Sequence, residues 1–262
     1  MSSREVVLDP KAVETKWAEM APLIDVMMRR VGTRGEFPVE AGSSLADDDR
    51  ASDPYHVSYV VMQGLTAGVD HMHAVKTLVV DQQVLHLAAP SSLSRGALEN
   101  LATAYWVLSP NGRQDRVERA LRWHYKNYDD QHKALDVRGL AIATREEHFA
   151  KVDRVALQNG LDPKSLRKGY FSTTVVKYCE EQLPDEVPEG ILFPWQLCSG
   201  FAHGRPWAYL GASKREVVGD DGNGVANVRL TSDLSIALFP LLAAMHLLEA
   251  LLRLHRQRGR QP

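Results

Sequence analysis

Apolar side chains recur at intervals of three and four residues along most of the chain, which is the spacing of one face of an α-helix. The first such face comprises Val13, Trp17, Met20, Ile24 and Met27. Together with its Pro, Gly and Asn-Gly stops, this pattern predicts helices over 10–30, 55–89, 91–108, 113–160 (with a break near 137–139) and 162–182. A further helix is predicted to begin at Glu189 or Pro194 and to end at Ala202. We therefore expect an all-α fold, a helical bundle.

The period of the pattern changes after Pro206. Strands are predicted over 207–218 and 225–230, and the Gly- and Asp-rich stretch 219–224 between them predicts a hairpin turn. A small β-hairpin insertion over 207–230 is therefore expected near the C-terminus. Stretch 32–54 contains Gly, Pro, Ser and an acidic run, and is predicted to be a long, mobile, solvated loop. Because no other stretch resembles a domain linker, we expect a single helical domain over 1–262.

The last helix, predicted over 234–252, is apolar enough to be mistaken for a membrane span. It carries Pro240, His246 and Glu249, and the last two are costly in lipid. We therefore expect a helix of the protein core that does not span a membrane. The same helix can form the interface of a homodimer. The following arginine-rich tail, 253–260, is predicted to be a solvated helix end whose cations complement the helix dipole.

Composition narrows the class of protein. The chain has 262 residues, 44% of them hydrophobic and 24% charged, and a formal net charge of -2. This charge argues against a surface that binds duplex nucleic acid throughout, since such binding needs a large positive excess. The two cysteines, Cys179 and Cys198, show no zinc-ligand spacing, and the first ten residues lack the apolar stretch of a secretion signal. A cytoplasmic protein without metal or cofactor is expected.

Residues 195–207 contain the main candidate site. Trp195, Ser199 and His203 are four apart and therefore share one face of the predicted helix, which Gly204 and Pro206 end. Histidine is the side chain whose ordinary pKa suits proton transfer near neutrality, and Arg205 can bind an anion beside it. The alternative is a buried core histidine at a helix end.

Two further helices carry polar pairs within apolar stripes. Asp70 and His73 are three apart on one, and Arg95 and Glu99 are four apart on the next. Buried polar groups must satisfy one another, so we expect Asp70, Arg95, Glu99 and His203 in one cluster. The ligand-binding candidates are Asp70, His73, Ser199 and Arg205. A single Asp-x-x-His motif without a second copy does not indicate a dimetal bundle.

Three stretches carry a resemblance to known proteins: 95–108, Arg116 with Arg119, and 197–204. They resemble a family of uncharacterised actinobacterial helical proteins that is similar to the broad HEPN-like group. That resemblance implies helical bundles, often dimeric, many of them RNases of toxin or phage-defence systems, while others bind only nucleotides or partners. It implies His203 as the catalytic histidine and Glu99 as the acidic residue often found on an earlier helix. Together with Arg95, which can hold the phosphate, these are the candidate catalytic residues.

The sequence departs from the HEPN nuclease motif at one point. The motif places an Arg a few residues before its His on the same helix, whereas this chain has Gln196, Leu197 and Cys198 there. Arg95 or Arg205 would have to replace that Arg in space.

Two hypotheses follow from the residues and the resemblance. The first is an RNA-processing or defence-related protein, a metal-independent endoribonuclease that uses His203 and has RNA or a nucleotide as partner. The second is a non-catalytic ligand-binding or regulatory helical protein with a polar pocket. An exposed His203 in a cleft with an Arg favours the first hypothesis. A His203 enclosed and bonded to Asp70 or Glu99 favours the second.

Overall fold

A computed structural model describes residues 9–140, 143–220, 222–223 and 226–261. It is all-α with one small two-stranded hairpin, as the sequence predicts. The helices are α1 Pro10–Val31, α2 Ser44–Ser52, α3 Val57–Lys76, α4 Ala89–Leu108, α5 Arg113–Asp136, α6 Arg145–Gln158, α7 Pro163–Leu166, α8 Ser172–Gln182, α9 Leu192–Ala202, α10 Pro206–Ala212 and α11 Leu234–Gly259. The strands are β1 Lys214–Asp220 and β2 Ala226–Thr231, which pair antiparallel with an irregularity between Val217 and Gly219.

Helix α1 forms where the sequence predicts it. The Asp9 carboxylate accepts a hydrogen bond from the backbone N–H of Lys11, and Pro10 occupies the first turn, where its missing N–H costs nothing. The predicted break in the 113–160 helix is also confirmed, because α5 ends at Asp136 and α6 begins at Arg145.

Three predicted boundaries are wrong. The helix predicted over 55–89 ends earlier, in a π-helical turn at Thr77–Asp81, and Pro90 lies in the first turn of α4 instead of stopping α3. The helix predicted over 162–182 is two helices, α7 and α8. The strand predicted over 207–218 is helical up to Ala212, because Pro206 starts a new helix at once. Part of the predicted turn, at Asp221 and Gly224, lies outside the described residues, as do Val225, the first residue of the second predicted strand, and residues 1–8.

The predicted loop over 32–54 is also corrected. Its second half is helix α2, in which the Ser43 hydroxyl accepts a hydrogen bond from the backbone N–H of Ala46. The acidic run within it is not uniformly solvated, because Asp48 is fully buried. The reason is Arg116, whose guanidinium lies beside that carboxylate.

The described chain divides into two units. One comprises the residues up to 33, 66–99 and 183–247, and the other comprises 34–65, 100–182 and the residues from 248 on. A single helical domain over 1–262 stays a prediction.

The first unit buries the apolar face of α1. Trp17 is buried there, and its indole N–H donates to the carbonyl of Leu234 over 3.2 Å. The buried ammonium of Lys76 lies 2.9 Å from a carboxylate oxygen of Asp25 and 2.9 Å from one of Asp81. These two pairs tie the π-helical turn to α1 and raise the pKa of Lys76, mainly through its hydrogen bonds to Asp81 and Asp25. The charge of Lys76 is therefore compensated on both sides.

The second unit is built around an ion pair. Arg116 donates from Nε to Asp48 Oδ2 over 2.6 Å and from Nη2 to Asp48 Oδ1 over 2.8 Å. Its Nη1 donates to the carbonyls of Pro110 and Asn111, each over 2.8 Å. The two side chains are 3% and 0% exposed. This single guanidinium thus joins α2, α5 and the turn before α5.

Helix α11 is the one described helix long and apolar enough to cross a membrane. Its 18-residue apolar window has a mean hydropathy of 1.9, and 61% of that window is buried. Such burial is typical of a core helix in a soluble protein. The prediction of a solvated tail is wrong in part, since His255 and Gly259 are buried and Arg258 donates to Asn111 Oδ1 over 3.0 Å.

Two adjacent carboxylates give a matched test of the buried pair. We expect Asp48→Asn to lower the free energy of unfolding by about 3 kcal/mol or more, because it leaves the Arg116 charge buried without its partner. Asp47 pairs with Arg50 at an exposed position, so Asp47→Asn is expected to change stability by less than about 1 kcal/mol. Urea unfolding of both variants measures the difference, and similar losses would contradict the central role of the pair.

The second unit also contains a histidine that resists protonation. His124 packs on the ring of Tyr55 at a centroid distance of 4.8 Å, and its Nε2 is buried with no hydrogen-bond partner among the described residues. Burial lowers the pKa of His124 from 6.5 to about 4. Because the unfolded state binds this proton more readily, the free energy of unfolding is highest above pH 6.5 and decreases as the pH falls towards 4.

We therefore expect stability to fall between pH 6.5 and pH 4, by at most roughly 3 kcal/mol from this group. The variant His124→Gln removes the titrating group and is expected to flatten that part of the profile. Thermal unfolding at half-unit pH steps measures the slope in both proteins. Parallel profiles would show that His124 does not cause it.

Candidate functional site

Helix α9 ends in a Schellman motif, as the Gly-Arg-Pro stop predicts. The backbone N–H of Arg205 donates to the carbonyl of Gly200 over 2.8 Å, and that of Gly204 donates to the carbonyl of Phe201 over 3.2 Å. Gly204 has φ +62°, a left-handed conformation that glycine adopts without strain. His203 is the C-cap residue, and α10 begins two residues after Gly204. The chain therefore reverses directly beside the imidazole.

This reversal creates a cleft of about 470 Å³ in the first unit. Trp195, Ser199 and His203 all line it, which confirms that they share one helix face. The full set of lining residues is Phe193, Trp195, Gln196, Ser199, Gly200, His203, Arg205 and Trp207.

The cleft is aromatic and cationic. Phe193 and Trp207 are 56% and 53% exposed, whereas Trp195 is only 8% exposed and forms the buried part of the wall. His203 and Arg205 are exposed, and no carboxylate is among the lining residues. Neither side chain makes a hydrogen bond or ion pair within the part of the chain that the structure describes. The alternative of a buried, satisfied core histidine is therefore wrong.

Arg95 and Glu99 lie behind Trp195. The Arg95 Nη2 is 3.1 Å from Glu99 Oε2, and the Trp195 indole N–H donates to the same oxygen over 3.2 Å. The Arg95 guanidinium carbon lies 5.4 Å from the centre of the Trp195 ring. Neither residue is among those that line the cleft. The pair therefore positions the tryptophan on which the cleft rests.

Asp70 and His73 are placed differently from the expectation. Asp70 is exposed, and no described contact joins it to Arg95, Glu99 or His203. The His73 Nε2 lies 3.5 Å from Asp25 Oδ1, beside the Lys76 ion pairs. The structure therefore brings Ser199, His203 and Arg205 together and leaves Asp70 and His73 outside the cleft lining.

The arginines of the second stretch of resemblance are structural. Arg116 holds Asp48, as described above. Arg119 donates to the carbonyl of Trp106 over 2.6 Å, and its guanidinium carbon lies 4.3 Å from the centre of the Tyr178 ring. Both charges are therefore occupied in the second unit.

The cysteines are poor nucleophiles. Cys198 adjoins Ser199 in sequence but is fully buried, and desolvation raises the pKa of its thiol to about 12, against a smaller opposing effect of Arg95. Desolvation also raises the pKa of the buried Cys179 thiol. Within the described ranges, no group of three or more His, Cys, Asp or Glu side chains is arranged to hold a metal ion.

Sequence reasoning missed Phe193 as a lining residue; Gln196, Gly200 and Trp207 lie within the predicted stretch 195–207, but Trp207 was placed on a strand. The available signal was Pro206, which favours the first turn of a helix and would have placed Trp207 beside α9 instead of on a strand. It also missed a histidine–carboxylate pair, in which His246 Nδ1 lies 2.8 Å from Glu189 Oε2. That pair accounts for the polar residue that α11 carries at His246.

No protein-family model matches the chain, and neither a curated protein nor a solved structure matches it.

Two glycines test how the cleft is built. A Cβ at Gly200 would lie 2.6 Å from the Ala208 Cβ and 2.8 Å from the Trp207 Cζ2, whereas a Cβ at Gly211 would meet nothing within 4 Å. We expect Gly200→Ala to cost about 1–3 kcal/mol, because α10 must move away from α9. Gly211→Ala, in α10 itself, is expected to be neutral or slightly stabilising. Thermal unfolding and tryptophan fluorescence measure both effects, and an unchanged Gly200→Ala protein would contradict the close packing.

Proposed function

We propose that this protein is an RNA-processing enzyme of HEPN-like type, a metal-independent endoribonuclease that acts through His203. The observation that carries the proposal is the exposure of His203 and Arg205 in one cleft that no carboxylate lines. A guanidinium with no ion-pair partner among the described residues, beside an accessible imidazole, suits a phosphodiester, whose cleavage needs its charge held and one proton moved.

The reaction divides between these two residues. His203 accepts the proton of a ribose 2′-OH as that oxygen attacks the adjacent phosphorus. The bond from phosphorus to the 5′ oxygen breaks, and the imidazolium gives its proton to the leaving oxygen. The products are a 2′,3′-cyclic phosphate and a 5′-hydroxyl end. Arg205 binds the non-bridging phosphate oxygens, and the Ser199 hydroxyl offers a further hydrogen bond.

In this proposal Arg205 replaces the arginine that the HEPN motif places before its histidine. Arg95 and Glu99 then act as positioning residues, since they hold Trp195 by contacts of 3.1–3.2 Å and do not line the cleft. A role in defence belongs to the same proposal on the resemblance alone. A homodimer is proposed on the resemblance and on the apolar last helix, and a cytoplasmic location on the cysteine usage and the N-terminal sequence.

The second candidate is a non-catalytic protein that binds a nucleotide or RNA in the same cleft. One observation favours it: His203 is the only proton-transfer group among the lining residues. No second side chain of the lining can therefore act as general acid while His203 acts as general base. Binding without cleavage is the outcome that would distinguish it.

Cleavage of single-stranded RNA in the presence of EDTA tests the proposal. We expect cyclic-phosphate ends with the wild-type protein and a loss of about 100-fold or more with His203→Ala, which is the range for a general acid–base group. Arg205→Ala is expected to weaken RNA binding as well as cleavage. His246→Ala is the matched control, because His246 lies outside the cleft lining.

The result is read together with thermal unfolding. Because His203 is exposed, its replacement by Ala is expected to leave the melting temperature nearly unchanged. Wild-type protein that binds RNA without cutting it would favour the second candidate. Cleavage that survives in His203→Ala would overturn the proposal.

A further inference from the structure

Trp207 is a large aromatic side chain that the fold supports on one side and leaves open on the other. Its six-membered ring rests on the backbone of α9 at Gly200, where a Cβ would lie 2.8 Å from Cζ2 and 3.1 Å from Cε2. The neighbouring Ala208 is buried in the same contact, and Pro206 fixes the start of α10. Even so, 53% of Trp207 remains exposed. The ring is therefore held in place while one side of it stays accessible to a ligand.

The surroundings of this ring favour one kind of ligand. Phe193 provides a second exposed aromatic side chain in the same cleft, and Arg205 and His203 provide the polar groups. Arg205 has no carboxylate partner among the described residues, so its charge remains available to an anion. Aromatic faces beside an unpaired cation bind nucleobases and their phosphates, because every base has a π-face and every nucleotide a negative charge.

We propose that Trp207, seated on Gly200, is a stacking platform for one unpaired nucleobase, and that Arg205 binds the phosphate attached to it. The ligand class is accordingly single-stranded nucleic acid. The RNA character of that ligand rests on the function proposed above, whereas the stacking contact itself does not require cleavage.

Duplex nucleic acid does not fit the same chemistry. A paired base has both faces covered by its neighbours, so it cannot stack on a side chain unless it leaves the helix. A cleft of about 470 Å³ has the size of a small-ligand pocket. The net charge of -2 gives the chain no overall positive excess with which to bind two phosphate backbones. An apolar peptide would leave the charge of Arg205 without a partner.

The test is binding of a fluorescently labelled single-stranded adenine-rich oligonucleotide to the full chain, at one fixed salt concentration. We expect Trp207→Ala to weaken binding by about 5- to 100-fold, which corresponds to one base–aromatic stack. Trp207→Phe keeps an aromatic face and is expected to stay within about 3-fold of wild type. It also guards against a fold defect, since it fills most of the same space. The matched control is Phe171→Ala, which removes a 64% exposed aromatic residue from the second unit and is expected to change nothing.

Two comparisons separate this proposal from the ribonuclease proposal. A 2′-deoxy oligonucleotide of the same sequence cannot be cleaved by the 2′-OH route, yet it is expected to bind and to show the same dependence on Trp207. If it does so while RNA stays intact, the platform stands and the ribonuclease proposal falls. If His203-dependent cleavage occurs but Trp207→Ala binds as wild type does, the platform falls. Equal affinity for the matching duplex, or no saturable binding by any oligonucleotide, would also overturn the platform.

Discussion

The packing of the second unit depends on the buried ion pair between Arg116 and Asp48. Arg116 is almost fully buried, and such a guanidinium is tolerated only when its donors are satisfied. Asp48 takes two of these donors and the carbonyls of Pro110 and Asn111 take a third, so α2, the turn before α5 and α5 itself are fixed relative to one another. Arg258 reaches the same turn from α11 through Pro110 and Asn111. The contact between Asp48 and Arg116 thus holds α2 in place, within the stretch 32–54 that its composition predicts to be a loop.

The packing of the first unit depends instead on glycine positions, where the absence of a side chain lets two backbones approach closely. Gly200 lets the backbone of α9 meet Ala208 and Trp207 at distances that a Cβ would not allow, and Gly204 lets the chain reverse within two residues. The cleft is a consequence of these two glycines, because they bring α10 back across the end of α9. Trp195 completes it from behind, held by the carboxylate of Glu99 and the guanidinium of Arg95.

Local signals allowed much of this to be predicted from the sequence. The fold class, the bounds of α1, the end of α9 and the shared face of Trp195, Ser199 and His203 all follow from periodicity, caps and the Gly-Arg-Pro stop. The errors come from tertiary interactions. No local pattern reveals that Asp48 finds Arg116 across 68 residues of chain, or that the apolar stretch after Pro206 continues as a helix before it becomes a strand. Likewise, Asp70 and Arg95 both lie within apolar stripes of their helices, which predicts burial for each. Packing decides that Arg95 contacts Glu99 and Trp195 while Asp70 is exposed.

The division of labour among the polar residues bears most directly on function. Three arginines that sequence reasoning could assign to chemistry are already occupied: Arg95 by Glu99, Arg116 by Asp48, and Arg119 by the carbonyl of Trp106 and the ring of Tyr178. Arg205 differs from them because it lies outside the helix, at the N-cap of α10, where no described carboxylate neutralises it. An exposed cation without a partner among the described residues, beside an exposed imidazole and a supported tryptophan, makes no described contact that would stabilise its unit. Its arrangement is therefore better explained by a ligand that brings negative charge and a flat aromatic surface into the cleft.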